Sequence, residues 1–273
     1  MRKNSSVTTL TIFFLCFTFF GFKLGSAEAE ERFKVGVIIP MTGGLADYGT
    51  SIRPGFELAM SESPEQFSKV DFIFEDSAYD ANMAVSAFQK LRTVNKVDMF
   101  YAWGVSPTEA LIPIAEANKL PLLVETTLKE SVSNKKYVVR AARTGERIAR
   151  ALADEISQRK IKKVSLIVTD LPFYDDIVKH MKVLLPEKGI EITRIRAVLP
   201  TENDVRSYIL ELRKQEEDAI GVFLLPAQII SFYRRVAEMK LTPTTFSADI
   251  IGSESIIKDC PDTVTALFLP KWE

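Results

Sequence analysis

Histidine occurs once, at position 180, and cysteine twice, at 16 and 260. Zinc centres and Cys/His nucleophile pairs need clusters of these side chains. A disulfide framework needs cysteines in even, regularly spaced sets. None of these can be assembled here. His180 sits in a helical stretch with no HExxH or GxSxG around it and reads as a surface residue, so no catalytic or metal-binding residue is assigned. A positive excess is also missing: 35 basic residues face 36 acidic ones, a net charge of −1. That balance argues against nucleic acid or an anionic membrane surface as partner. Neither GxGxxG nor GxxxxGK[ST] occurs, so a phosphate cradle is not indicated and no cofactor is expected.

Long apolar runs are scarce too, and the one present is near the amino end. Arg2 and Lys3 precede an almost wholly apolar run from Leu10 to Phe22, and Ala27-Glu28-Ala29 follows as a small-residue cleavage site. Such a run falls short of the roughly 20 residues of a spanning helix. Residues 1–29 are therefore expected to be a signal peptide, with an uncleaved anchor as the alternative, and the protein periplasmic or otherwise exported. Cys16 follows bulky Phe13-Phe14-Leu15, a poor context for lipid attachment. Cleavage removes Arg2, Lys3 and Lys23 but only one acid, Glu28, leaving a mildly acidic chain with Cys260 as its only thiol.

From Phe33 onward, β-rich runs alternate with helical periodicity. "FKVGVIIP" reads as a buried strand, and "SIRPGFELAMSE" as a helix with Pro54 in its first turn. "KVDFIFED" is the next strand, and Asp80 can cap the helix that follows. "VDMFY", "PTEALIPIAEANK" and "PLLVE" repeat the alternation. After the polar "ESVSNKK" and a short strand "YVVRAAR", it restarts at "KVSLIVTD" and runs on through "EITRIRAV", "AIGVFLL" and "TTFSAD". Short connections between strands and helices indicate parallel sheets covered on both faces. We expect an α/β fold of two doubly wound lobes joined near Arg140 to Thr144, one continuous domain being the alternative. Lobe 1 would span 30–142, lobe 2 143–248, and 249–273 would return to lobe 1. The last strand candidate, "TVTALFLP", has no sequence left for a neighbour or covering helix, so the fold is expected to be truncated at its C-terminus.

Ligands of open parallel sheets bind beyond the carboxyl ends of the strands. The first such loop, "IIPMTGGLADYGTS", has Gly43-Gly44 for a tight turn and Tyr48, which can either cover a ligand or simply pack. In the third, "WGVSPTEA", Ser106 can be an N-cap, with Pro107 at the first helical position and Glu109 at capping-box spacing. The same helix end attracts a carboxylate. Other strand ends offer Glu125 to Thr127, Phe173 and Tyr174, Pro226, and Asp249. Hydroxyls, aromatics and a carboxylate suit a small ligand with a polar end and an apolar body. The pair Asp175-Asp176 reads as helix N-terminal charge bias.

Taken together, "FKVGVIIPMTGGLADYGTSIRPGFELAM", "EDSAYDANMAVSAFQKL" and "IAEANKLPLLVETT" resemble the type I solute-binding proteins of ABC transporters, specifically the branched-chain amino-acid binding group. The likeness runs from Phe33 to about Pro270. It implies two lobes closing over an amino acid, or a related amide, and delivering it to a membrane ABC permease. A monomer is expected, with no enzymatic step. The resemblance points to Ser106 for the ligand carboxylate, to Thr126 or Thr127 for further polar contacts, to Tyr48 and Tyr174 as the aromatic pair, and to Asp249 for a ligand ammonium. Asp175 stands where the family commonly has glycine, and Pro226 where it has small residues. A ligand sensor serving a receptor or kinase is the alternative role, and an impaired truncated homologue a further one.

Overall fold

A computed structural model describes residues 31–212, 217–248, 254–260 and 267–268. The expected signal peptide and Asp249 lie outside them. In chain order the elements are β1 (Phe33–Ile39), α1 (Ala46–Glu62), α2 (Pro64–Phe67), β2 (Val70–Asp76), α3 (Ala81–Lys90, continued by a π turn, Leu91–Asn95), β3 (Met99–Trp103), α4 (Val105–Asn118), β4 (Leu122–Glu125), α5 (Lys129–Val132) and β5 (Val138–Arg140). They continue as α6 (Gly145–Gln158), β6 (Lys163–Thr169), α7 (Pro172–Glu187), β7 (Glu191–Val198), α8 (Arg206–Leu212), β8 (Ala219–Phe223), α9 (Pro226–Glu238), β9 (Thr245–Phe246), α10 (Glu254–Asp259) and β10 (Leu267–Phe268).

The described strands form two separate five-stranded sheets, ordered β2-β1-β3-β4-β5 and β10-β9-β8-β6-β7. Every pairing is parallel. Read from its own second strand, each sheet has the same order, so the chain winds the same topology twice. In both, the winding reverses beside the first strand, between β1 and β3 and between β6 and β8, which opens a crevice at the carboxyl ends.

Side-chain alternation explains why both faces are covered. In β1, Val35, Val37 and Ile39 pack with Tyr101 and the α1 residues Ile52 and Phe56. Ile38 points the other way, into a cluster with Phe88, Phe100 and Leu111 from α3, β3 and α4. The second sheet repeats this: Leu166 and Val168 join α6 and α7 on one face, and Ile167 and Val222 join α9 on the other.

Three sequence expectations change. Helix α1 begins at Ala46, so Pro54 lies inside it rather than in its first turn. Its N-cap, Leu45, makes no side-chain cap bond, which is why the start carries no sequence signal. Pro54 offers no N–H to the Thr50 carbonyl, and both residues are exposed, where water can serve instead. Helix α4 starts at Val105 behind an N-cap at Gly104 with φ +95, and no side-chain cap bond forms. Ser106 is therefore its second residue and no capping box exists; the Oε1 of Glu109 is buried without a partner. Finally, β10 pairs with β9, so this piece of the 249–273 segment extends the second sheet, not the first. Strand pairing is a through-space choice, and the local pattern of "TALFLP" suits either sheet equally.

Candidate functional site

The loop after β1 is built around a carboxylate from the neighbouring strand. Asp76, ending β2, accepts from the backbone N–H of Met41 at 2.7 Å and Thr42 at 3.3 Å, from the Thr42 hydroxyl at 2.5 Å, and from the N–H of Ala78 at 2.8 Å. Desolvation pushes its pKa up, but these bonds outweigh it and hold the carboxyl below its ordinary value. Gly43 takes φ +82 in the turn that follows. Gly49 serves a different purpose. A Cβ there would lie 2.0 Å from the Pro40 carbonyl oxygen, so only glycine lets α1 press on the end of β1. The spacing Pro40-x-Thr-Gly…Tyr48-Gly49 is thus a packing device that presents Tyr48.

Tyr48 meets Trp103 at the end of β3 with ring centroids 4.5 Å apart and planes 32° apart. Tyr79 also meets Trp103, with ring centroids 5.9 Å apart. Together these rings line a cleft of about 560 Å³. Its other lining residues come from the carboxyl ends of both sheets: Glu125 to Thr127 after β4, Leu171 to Tyr174 around the start of α7, Leu225 after β8 and Ala248 after β9. Leu45 before α1, Gly104 and Val105 at the start of α4, residues 141–143 between the two sheets, and Arg147 and Ile148 of α6 line it too.

Of the six residues singled out from sequence, Tyr48, Thr126, Thr127 and Tyr174 come together around this cleft. Tyr174 does so with little exposed surface. It is 2% accessible, packs with the core of the second sheet, and donates its hydroxyl to the Leu224 carbonyl at 2.8 Å. Its neighbour Phe173, half-buried, is the more available aromatic. Ser106 is not part of the lining. Its N–H, like that of Val105, lies near the Tyr79 hydroxyl. Asp249 lies outside the described residues.

Sequence reasoning passed over several residues that line the cleft or support it. Trp103, Arg143 and Arg147 line it without any local motif. Glu125, already offered by its strand end, lies in register with Trp103 and close to the Tyr101 hydroxyl. Burial, with Glu125 adding to it, pushes the Tyr101 phenol up. Asp176, read as helix charge bias, is 6% exposed. Its Oδ2 packs on Gly145, where an added Cβ would stand 2.2 Å away. Thr127 and the Gly145 N–H are its polar neighbours and His180 lies 3.6 Å from Oδ1, yet neither Oδ2 nor the Thr127 hydroxyl reaches a bond of ordinary geometry. Burial raises the Asp176 carboxyl above its usual range despite these neighbours. Among the described residues, no group of three or more His, Cys, Asp or Glu could hold a metal ion.

Two parallel α/β sheets whose carboxyl-end loops meet at one cleft define a two-lobed ligand-binding architecture. The chain belongs to the periplasmic binding protein family, whose model matches residues 32–266. It is similar to a Leu/Ile/Val-binding protein homologue of Brucella melitensis, with 24% identity over 260 residues, 85% of this chain and 65% of that protein. The chain therefore spans under two thirds of that relative's length. In fold it resembles a solute-binding protein of an ABC transporter from Rhodopseudomonas palustris, solved with 3,4-dihydroxybenzoic acid (TM-score 0.77, 24% identity, 86% of this chain and 66% of that one). It also resembles the branched-chain amino-acid transporter binding protein LivJ of Streptococcus pneumoniae, solved with isoleucine (TM-score 0.77, 18% identity, 87% and 70%).

Proposed function

We propose that this chain is the extracytoplasmic solute-binding component of an ABC transporter, capturing a small carboxylate compound in the cleft and presenting it to a membrane permease. One observation carries the reading: the ligand-competent ends of both sheets converge on a single aromatic-walled space of about 560 Å³. That size suits an amino acid or a compact aromatic acid, the kinds of compound held by the two structural neighbours described above. Closure of the lobes would exclude water and strengthen the charge-assisted bonds at the ligand's ends. The leader-like residues 1–29 support export, and no described helix is long and apolar enough to cross a membrane. The role is binding, with no chemical step, and the working unit is a monomer.

The test is to express the full chain with its leader, purify the exported product gently and identify any retained compound by mass spectrometry. A thermal-shift panel of amino acids, amides and aromatic acids accompanies it. Retention of one compound class, with a matching shift, is expected. Folded protein that retains nothing and responds to nothing on the panel refutes the proposal.

A further inference from the structure

The carboxyl of Asp176 lies where the chain passes from the first sheet to the second. Residues 141–144 make that crossing, between β5 and α6. Gly145, the first residue of α6, donates its N–H at 3.2 Å to the carbonyl of Thr127, which follows β4 of the first sheet. Helix α7, which carries Asp176, packs on the second sheet through Ile177 and Met181. It presses the carboxyl onto this junction. A Cβ on Gly145 would stand 2.2 Å from Asp176 Oδ2, 2.7 Å from its Cγ and 3.1 Å from its backbone carbonyl carbon. Not even a methyl group fits there, so water reaches Oδ2 from this side only if the start of α6 moves away.

Asp176 Oδ2 and the Thr127 hydroxyl oxygen are both buried, and neither has a hydrogen-bond partner among the described residues. A buried carboxylate without bonds is costly, and a neutral carboxyl much less so. The surrounding charges do not remove the cost. Helix α4 carries Glu109, α5 Lys129 and Glu130, α6 Glu146 and Arg147, and α7 itself Asp175, Lys179 and His180. Lys129 is committed to Glu146 at 3.5 Å, and Glu130 opposes a second negative charge. His180, 3.6 Å from Oδ1, favours ionisation, but burial outweighs it.

We propose that Asp176 is a proton-operated latch between the two sheets. Protonated, it lies dry against Gly145 and Thr127. Ionised, it draws in water, which parts the start of α6 from Thr127 and opens the cleft that Thr127, Ala141 to Arg143 and Tyr174 line. The latched form binds the proton more tightly, so it is favoured in acid and lost as pH rises through the raised value of the carboxyl. The latch belongs to the crossing and needs no ligand. To the solute-binding reading it adds that the cleft closes more readily in acid, and its failure leaves that reading standing.

Trp103 lines the cleft and reports its opening. Trp272→Phe leaves it as the one tryptophan of the chain. In that background, acrylamide quenching of Trp103 fluorescence and small-angle X-ray scattering are followed without ligand from about pH 4 to 8, circular dichroism verifying the fold at each pH. Quenching and radius of gyration are expected to rise together with pH in one transition, with a midpoint above 3.8. Asp176→Asn should stay compact and weakly quenched throughout. His180→Gln should keep the transition and move it to higher pH, because a cation that favours ionisation is gone. A folded protein without the transition, or a transition that persists in Asp176→Asn, overturns the proposal. So does a transition lost in His180→Gln, which would make the imidazole the switch.

Discussion

Replacing Gly49 by alanine isolates the contact that seats α1 on the end of β1. Two effects oppose each other. Alanine is the better helix former by about 1 kcal/mol. Against this, the new Cβ would stand 2.0 Å from the Pro40 oxygen and 2.7 Å from its carbonyl carbon, whereas carbon–oxygen contacts settle at roughly 3.3 Å or more. An overlap above about 1 Å with backbone cannot be relieved by a rotamer change, so the cost belongs at the upper end of the roughly 1–3 kcal/mol of overpacking. The clash wins by about 2 kcal/mol. For a chain of this size that corresponds to a fall in melting temperature of about 4–8 °C. Gly55→Ala supplies the control: it lies in the same helix with nothing within 4 Å of its added Cβ. It should raise the melting temperature by a few degrees, about 2–4 °C per kcal/mol of gained propensity. Thermal unfolding followed by circular dichroism measures both. If Gly49→Ala behaves like Gly55→Ala, the account of the Tyr48-Gly49 spacing as a packing device is wrong.

Other expectations follow from the carboxylates and the buried phenol. The Asp76 carboxyl is held below its ordinary value of 3.8, so its contribution is present above that pH and lost as pH falls through the lowered value. Asp76→Asn should lower stability by about 1–3 kcal/mol at pH 7, with the deficit closing on acidification; a pH-independent deficit argues against the charge-assisted bonds. Asp176 has the opposite sign. Burial raises it above 3.8, so its contribution is complete below that pH and declines as pH rises through the raised value. Asp176→Asn should therefore match the native melting temperature in acid and exceed it at neutral pH, and equal curves throughout would refute the raised carboxyl. Tyr174→Phe leaves the buried Leu224 carbonyl without its 2.8 Å donor and should cost about 1–3 kcal/mol in denaturant unfolding. No measurable cost would mean that water or another donor replaces the hydroxyl.

The strand–helix alternation was legible because it is written locally. Val35, Val37 and Ile39 alternate with Gly36 and Ile38 whatever lies around them, and Asp80 caps α3 through the N–H groups of Asn82 and Met83, two and three residues on. The family likeness was equally legible, since Pro40 to Gly49 and Glu75 to Asp80 are contiguous segments whose side chains serve one loop. The convergence of Tyr48, Thr126, Thr127 and Tyr174 could be anticipated from the rule that parallel sheets expose their carboxyl ends. Helix starts without a side-chain cap were not legible. Leu45 before α1 and Gly104 before α4 carry no local signal, and the serine that looked like a cap sits two residues too late.

Tertiary structure decided the rest, and the reason is the same at each residue: a side chain's neighbours in space come from distant parts of the chain. Asp176 looks like an ordinary helix-start acid until Gly145 is laid against it. Trp103 becomes a wall only when Tyr48 arrives from the start of α1 and Tyr79 from the β2–α3 loop. Nothing in the sequence around Gly104 says what packs on it, and only the folded β2–α3 loop, held left-handed by Asp76 and Ser77, brings the Tyr79 ring against it. The periodicity of the sequence specified two parallel α/β sheets and the side of each on which a ligand would sit. Which charges and rings meet there depended on packing across loops, where no local pattern reaches.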